Sequence, residues 1–557
     1  MAARDPWLAA ILLAAAGLRL YGLGHGLPFV YNPDEANIMA RALSLAQDPN
    51  PHYFLYPSFF FYLVFAVMGG LYGFGRMAGW YPDRNAFAAR FFEDPTEFYL
   101  AARWLGVVAS LGTIALTYLL ARRHFGKPAA RAAALFIAVC FFQVRDSHYL
   151  KHDVPAAFLV MVALAAFSRL MERKSLPSYL GVGAAMGAAF ATHYYTIFLA
   201  PVFLLCHWAA AGLREWRKPV AGALAAAVVF FILSPFVVLN LPVALDHMRT
   251  NRQIVVDRSM ESGGFLLPSL PSYVSFLAVQ GLGILLLALV VVGCFLLIRP
   301  GVGCAILWAA FPLCFLGFIS YTHFAGRYLN PILPNLAVAG GLTVQAVQRR
   351  YGAPAAVLLA LGASVQPLYY DWQMNRLFAS EDTRTLARKW IIDHLPDREA
   401  IALQSYSVPI PQSEESLRES LAANDALDEL ARRGKYFHLA ELSRKERPAY
   451  RLYFIGNGDE KDRIYFSYSE LNQRHLGPLL SRSVSAVVLR YPPDKAPTEV
   501  ARLFREVARR GRLEKRFSPF SGAGTGVHPY LDNEDWPPRP GLSRKGPLVE
   551  IWSLSDH

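Results

Sequence analysis

Eleven apolar stretches constrain this chain more than any other feature. They fall at about 7–22, 56–79, 98–121, 132–144, 154–170, 178–211, 220–239, 273–298, 302–320, 328–347 and 354–371. A helix needs about 20 apolar residues to cross a bilayer, where every backbone polar group must be satisfied within the segment itself. The stretch 178–211 is long enough for two short or tilted helices around Thr192-His193-Tyr194, while 132–144 must extend into its flanks. With 54% hydrophobic and 17% charged residues over 557 positions, the sequence describes a polytopic α-helical membrane protein.

The charges between these stretches orient it. If 56–79 lies on or re-enters the membrane rather than crossing, and the N-terminus is cytoplasmic, then RRHFGKPAAR (122–131), RLMERK (169–174), REWRK (214–218) and QRR (348–350) all face the cytoplasm. The positive-inside bias therefore favours about eleven true spans, a first external loop over 23–97 and external juxtamembrane helices. The first apolar stretch has no small-residue cleavage signal and reads as a retained anchor. A formal net charge of +13 distributed this way, with no stacking motif, argues against nucleic acid as a partner. The five cysteines, Cys140, Cys206, Cys294, Cys304 and Cys314, lie in or beside apolar stretches, so neither a disulfide framework nor a cysteine-type zinc site is expected.

After about 372 the composition changes. Helical patterns at 415–433 and 497–510 alternate with short strand-like runs RLYFI (451–455), SAVVL (485–489) and LVEIW (548–552). Residues 372–557 are expected to form an exported mixed α/β domain behind a membrane domain of 1–371, with YLDNEDWPPRPGLSRKG (530–546) as a loop. There is no repeat of 20–50 residues, which argues against a solenoid or propeller.

The assumed topology gathers the unusual polar residues on the external side. Ionisable groups at membrane depth are paired, water-facing or functional. In YNPDEANIMARAL (31–43), Asp34 follows Pro33 and precedes a helical pattern, so it reads either as an N-cap or as a rigidly held catalytic carboxylate. In VRDSHYLKHDVP (144–155), His148 and His152 stand four apart and Asp153 follows, a spacing that could begin a metal site but lacks a third well-placed ligand, so no metal or other cofactor is expected. Asp153 can equally cap a helix ahead of Pro155. His193 reads as an interfacial histidine, and Arg327 and Tyr328 suit an outer helix end. What exceeds these structural readings is that separate spans bring Asp34, Asp153, His323 and Arg327 to one side.

The stretches GLPFVYNPDEANIMARAL, RDSHYLKHDVPAAFLVMVALAAF and HFAGRYLNPILPNLAV, followed by a domain opening TRTLARKWIIDHLPDREAIAL and closing GPLVEIWSL, resemble a GT-C glycosyltransferase. More narrowly they are similar to the protein-mannosyltransferase-like family, which includes protein O-mannosyltransferases and lipid A aminoarabinose transferases. The resemblance covers most of the chain in order. It implies a GT-C-like fold, a polyprenyl-phosphate sugar as donor, and an active site at the external membrane face; the Ala-, Arg-, Leu- and Gly-rich composition suggests a bacterial inner membrane. It further implies Asp34 as the base, Glu35 and Asp153 as supporting carboxylates, and Arg327 with Tyr328 at the donor phosphate. A lipid phosphate leaves well, so one base and a cation suffice and inversion is expected. The acceptor, a protein hydroxyl, glycolipid or polysaccharide, is not specified.

Two positions depart from the aminoarabinose branch. Tyr56-Pro57-Ser58 stands where that branch tends to have Lys before Pro-Pro, and Thr192-His193 stands where Thr-Lys is common. Arg41, Lys151 and His152 are candidates for the missing charge, with His323, Tyr56 and His193 as further cavity residues. The competing class is a transporter or flippase of a lipid-linked sugar, which would place polar groups near the bilayer midplane rather than at helix ends. A non-catalytic scaffold on the same fold is the third.

Overall fold

A computed structural model describes residues 5–253, 267–428, 434–490, 498–521 and 541–554. Among these, six helices are long and apolar enough to cross a membrane: Phe59–Met77, Thr96–Phe125, Asp153–Arg173, Tyr194–Ala211, Val302–Ile319 and the long helix from Leu333. Pro6–Leu20 and Ile284–Leu296 are apolar but shorter. The protein is thus a multi-pass helical membrane protein carrying a C-terminal mixed sheet. The stretch 178–211 forms two helices, Leu176–Thr192 and Leu199–Ala211, separated by His193 in extended conformation and a 3-10 turn at Tyr194–Phe198. The stretch 132–144 extends backwards instead of running through: Lys127–Ala138 ends, and a short helix Phe141–Asp146 follows. The last two apolar stretches join into Leu333–Ala379, broken at Gly352, where φ of +87° suits a residue without Cβ. This helix continues past 371, so the C-terminal fold opens only at Thr383–His394.

Phe59–Met77, the segment expected not to cross, packs on the surface helix Pro33–Ser44 through Ile38, Met39, Phe60 and Val64. Its core partners on Thr96–Phe125 are confined to residues 98–105, the first turns of that 30-residue helix. At the opposite end of the bundle, Asp5 caps the first helix and accepts from Arg131 at 3.0 Å and Tyr118 at 2.6 Å. The basic loops gather there too, with the Lys218 ammonium on the Lys174 carbonyl at 2.9 Å.

The C-terminal region holds a six-stranded sheet in the order β3-β2-β1-β4-β6-β5. The strands are β1 Ala400–Gln404, β2 Arg451–Ile455, β3 Tyr465–Phe466, β4 Ala486–Arg490, β5 Gly511–Phe517 and β6 Val549–Leu554. β1 to β4 are mutually parallel, while β6 runs antiparallel to both β4 and β5. Alternate residues feed two cores: Ala402, Tyr453 and Val487 meet Leu503 and Val507, whereas Ile401, Leu452 and Val488 meet Ala387 and Ile391. The three expected strands coincide with β2, β4 and β6. The pattern 415–433 forms Glu414–Ala423, with 429–433 outside the described residues, and 497–510 forms Thr498–Arg510. Of the expected loop 530–546 only 541–546 is described. The sheet domain docks on the same end of the bundle as Asp34: the Tyr31 and Thr385 hydroxyls lie 2.8 Å apart, and Lys445 pairs with Glu93 at 2.9 Å.

Candidate active site

The helix Pro33–Ser44 begins with Pro33, whose missing N–H costs nothing in the first turn. Its cap is Asn32, whose side chain accepts from the Asp34 N–H at 2.9 Å. The capping role open to Asp34 is therefore filled by its neighbour. The Asp34 carboxylate is half-buried and forms an ion pair with the Lys151 ammonium at 3.1 Å. Burial pushes its pKa up, but Lys151 and Arg327 outweigh this and hold it below the usual carboxylate range.

Glu35 points the other way. It is fully buried, grips Arg103 with two bonds of 2.8 Å, and accepts from the Leu150 N–H at 2.7 Å. Arg103 also donates to the carbonyls of Leu23 and His25. This node ties the segment after the first helix, the Asp34 helix, Thr96–Phe125 and the 146–152 loop together, and it leaves Glu35 no geometry for contacting a substrate.

That loop presents Lys151, His152 and Asp153, all buried. His148 is separated from them in role: its ring nitrogens face the carbonyls of Val144 at 2.8 Å and Tyr21 at 3.1 Å. His152 is the residue before the helix Asp153–Arg173, so Asp153 opens the helix and is not its cap. The Tyr56 ring lies 4.0 Å from that of His152 and 5.4 Å from that of His193, and the two imidazoles are 4.8 Å apart. Burial lowers the His152 pKa to about 3, leaving a neutral imidazole at physiological pH.

Tyr56, His193 and Tyr328 line the upper part of a cavity of about 220 Å³ that continues among Ile197, Phe198 and Phe318. Ile197 and Phe318 are exposed on the apolar flank of the bundle, so an aromatic passage leads from that flank to the polar cluster. Arg327, on the 3-10 turn Gly326–Leu329, acts electrostatically on Asp34, Tyr56 and His152. Asn330 secures this turn by donating to Asp146 at 2.6 Å. Arg41 lies two turns along from Asp34, its guanidinium 4.9 Å from the Tyr53 ring centroid. His323 is exposed on its loop and stands outside the cavity lining. On the other side of the Asp34 helix a second cavity of about 590 Å³ opens between Phe29, Tyr31 and Pro33 and the sheet domain's Arg388, Tyr406 and Phe454.

The structure thus gathers Asp34, Lys151, His152, Asp153, Tyr56, His193, Arg327 and Tyr328 at one end of the bundle. Sequence reasoning missed Arg103, Asn32, Asn330 and Lys545. Arg103 had a signal, since a lone arginine inside the apolar stretch 98–121 requires a buried acid. Lys545 had none: it descends from the sheet domain to donate to the Tyr149 hydroxyl at 2.9 Å, between the 146–152 loop and the last long helix.

The model of the dolichyl-phosphate-mannose-protein mannosyltransferase family matches residues 87–239, which include the 146–153 loop and His193. No curated protein matches the chain in sequence. Among solved structures, ArnT from Cupriavidus metallidurans bound to undecaprenyl phosphate aligns at a TM-score of 0.52 and 15% identity, covering 88% of this chain and 94% of that one. Its apo form aligns at 0.51 and 14% identity, covering 88% and 92%. Over residues 87–239 the chain thus resembles the mannosyltransferase family, and as a whole it shares the fold of ArnT, with the polar cluster at one end of the helical bundle.

Proposed function

We propose that the chain is an inverting glycosyltransferase that moves a sugar from a polyprenyl phosphate, of undecaprenyl or dolichyl type, to an acceptor hydroxyl at the extracytoplasmic face. The observation that carries this reading is a carboxylate freed from helix capping, Asp34, ion-paired to Lys151 beside an aromatic passage from the lipid-facing flank. In the reaction, Asp34 takes the proton of the acceptor hydroxyl as its oxygen attacks the anomeric carbon. The bond to the lipid phosphate breaks with its electron pair on the phosphate, and the configuration inverts. Arg327 receives the phosphate through its planar fork, with Lys151 as a second cation and Tyr328 beside them. Glu35 positions the Asp34 helix through Arg103, and Asp153 orients the loop that carries Lys151. The cavity beneath the sheet domain gives an acceptor room to approach.

The same reading sets the N-terminus in the cytoplasm of a bacterial inner membrane, with about eleven spans and the sheet domain outside. The test is transfer of radiolabelled sugar from a panel of polyprenyl phosphates to protein, glycolipid and polysaccharide acceptors. Transfer with inverted configuration is expected. Failure across the panel together with measurable transbilayer movement of the lipid-linked sugar would replace the transferase with a flippase.

A further inference from the structure

The 144–155 stretch offers histidine and carboxylate ligands but no third partner along the sequence. The fold supplies one from elsewhere. His193 sits at the break between Leu176–Thr192 and the following 3-10 turn, and there it meets His152 and Asp153. The ligating atoms of the three side chains all lie within 4.8 Å of one another, and all three residues are buried. We propose that His152, Asp153 and His193 form a site for a borderline divalent cation of the Zn²⁺ kind.

Two imidazoles and one carboxylate are the donor set that Zn²⁺ takes in sites with an open fourth position. A tetrahedral ion with bonds of about 2.0–2.1 Å sets its ligand atoms roughly 3.3 Å apart. The widest separation in the trio must close by up to about 1.5 Å when the ion binds. The Nδ1 of His193 accepts only a long 3.3 Å bond from the Tyr195 N–H. Packing also holds the rings in place, with Tyr56 against both imidazoles and Tyr195 stacked on His193 at 3.6 Å. The adjacent Lys151 ammonium is engaged by Asp34 at 3.1 Å, which offsets its repulsion of an ion. Arg327 remains as an opposing charge on both histidines.

Asp153 contributes one negative charge, so a bound Zn²⁺ leaves the site net positive and its fourth position suited to an anionic oxygen. On the transferase reading that oxygen belongs to the donor phosphate in the adjoining cavity; binding of the ion itself does not depend on that reading.

The test uses the full-length protein in detergent, purified without a histidine tag, stripped with chelator and titrated with Zn²⁺ in the absence of any sugar donor. About one equivalent is expected to stay bound through gel filtration, and Co²⁺ in its place should give the intense visible bands of a four-coordinate ion. His193→Gln and Asp153→Asn should each weaken retention at least about tenfold, whereas His323→Gln should not. A wild-type protein that retains no stoichiometric Zn²⁺, or a monodisperse His193→Gln variant that retains it equally, overturns the proposal. Because no transfer is measured, failure of the transferase reading would leave a positive result standing. The Co²⁺ spectrum of the wild type decides the matter if the variants do not fold.

Discussion

Replacing Glu35 by Gln tests the node that holds the Asp34 helix in place. The substitution keeps a carbonyl oxygen for the Leu150 N–H but removes the charge that faces Arg103. Both side chains are about 1% exposed, so solvent and salt screen the pair little. Breaking one half of such a buried pair costs about 3–5 kcal/mol, because the remaining guanidinium stays desolvated and uncompensated. Arg103→Met should cost a similar amount by stranding the carboxylate. The double variant Glu35→Gln, Arg103→Met removes both charges, so its loss should fall short of the summed singles by at least about 1 kcal/mol. Unfolding of each variant in detergent, followed by tryptophan fluorescence and by recovery on gel filtration, gives the comparison. Single losses within about 0.5 kcal/mol, or strict additivity in the double variant, would refute the claim that this pair is a buried structural node.

Two further outcomes follow from the charges around Asp34. A general base must be ionised, and Lys151 and Arg327 hold the Asp34 pKa low, so kcat/KM should stay level from neutral pH downward and fall only below about pH 4; in Lys151→Met that acid limb should move to higher pH, as pH–rate profiles would show. Arg327→Ala should lower kcat/KM about 100-fold, equivalent to about 2.7 kcal/mol of lost charge-assisted hydrogen bonding, and Arg327→Lys should recover part of it, with the change read mainly in KM for the lipid donor.

Much of the architecture is written in local patterns. Apolar stretches and the runs RLYFI, SAVVL and LVEIW each carry enough periodicity to name their element, and the corresponding helices and β2, β4 and β6 form there. β5, GRLEKRF, escapes because a charged edge strand alternates too weakly to stand out from a loop. The cap of the Asp34 helix was legible but misplaced. Pro33 favours the first helical position, which makes Asn32 the cap, yet the acidic pair that follows draws attention to Asp34. The site's long-range geometry is a different matter. His193 joins His152 only because one helix ends where another begins, and Glu35 meets Arg103 across 68 positions of chain. No local spacing encodes either contact.

The central claim is that Asp34 is the base. Asp34→Asn is a clean test because Asn32 holds the cap, so the substitution leaves helix initiation intact while removing a carboxylate that can accept a proton. The measurement is the single-turnover rate of sugar transfer from the polyprenyl phosphate that supports wild-type activity, on a variant matched to wild type by gel filtration. A fall of about 10²–10⁴-fold is predicted. A rate near that of the wild type would contradict the account.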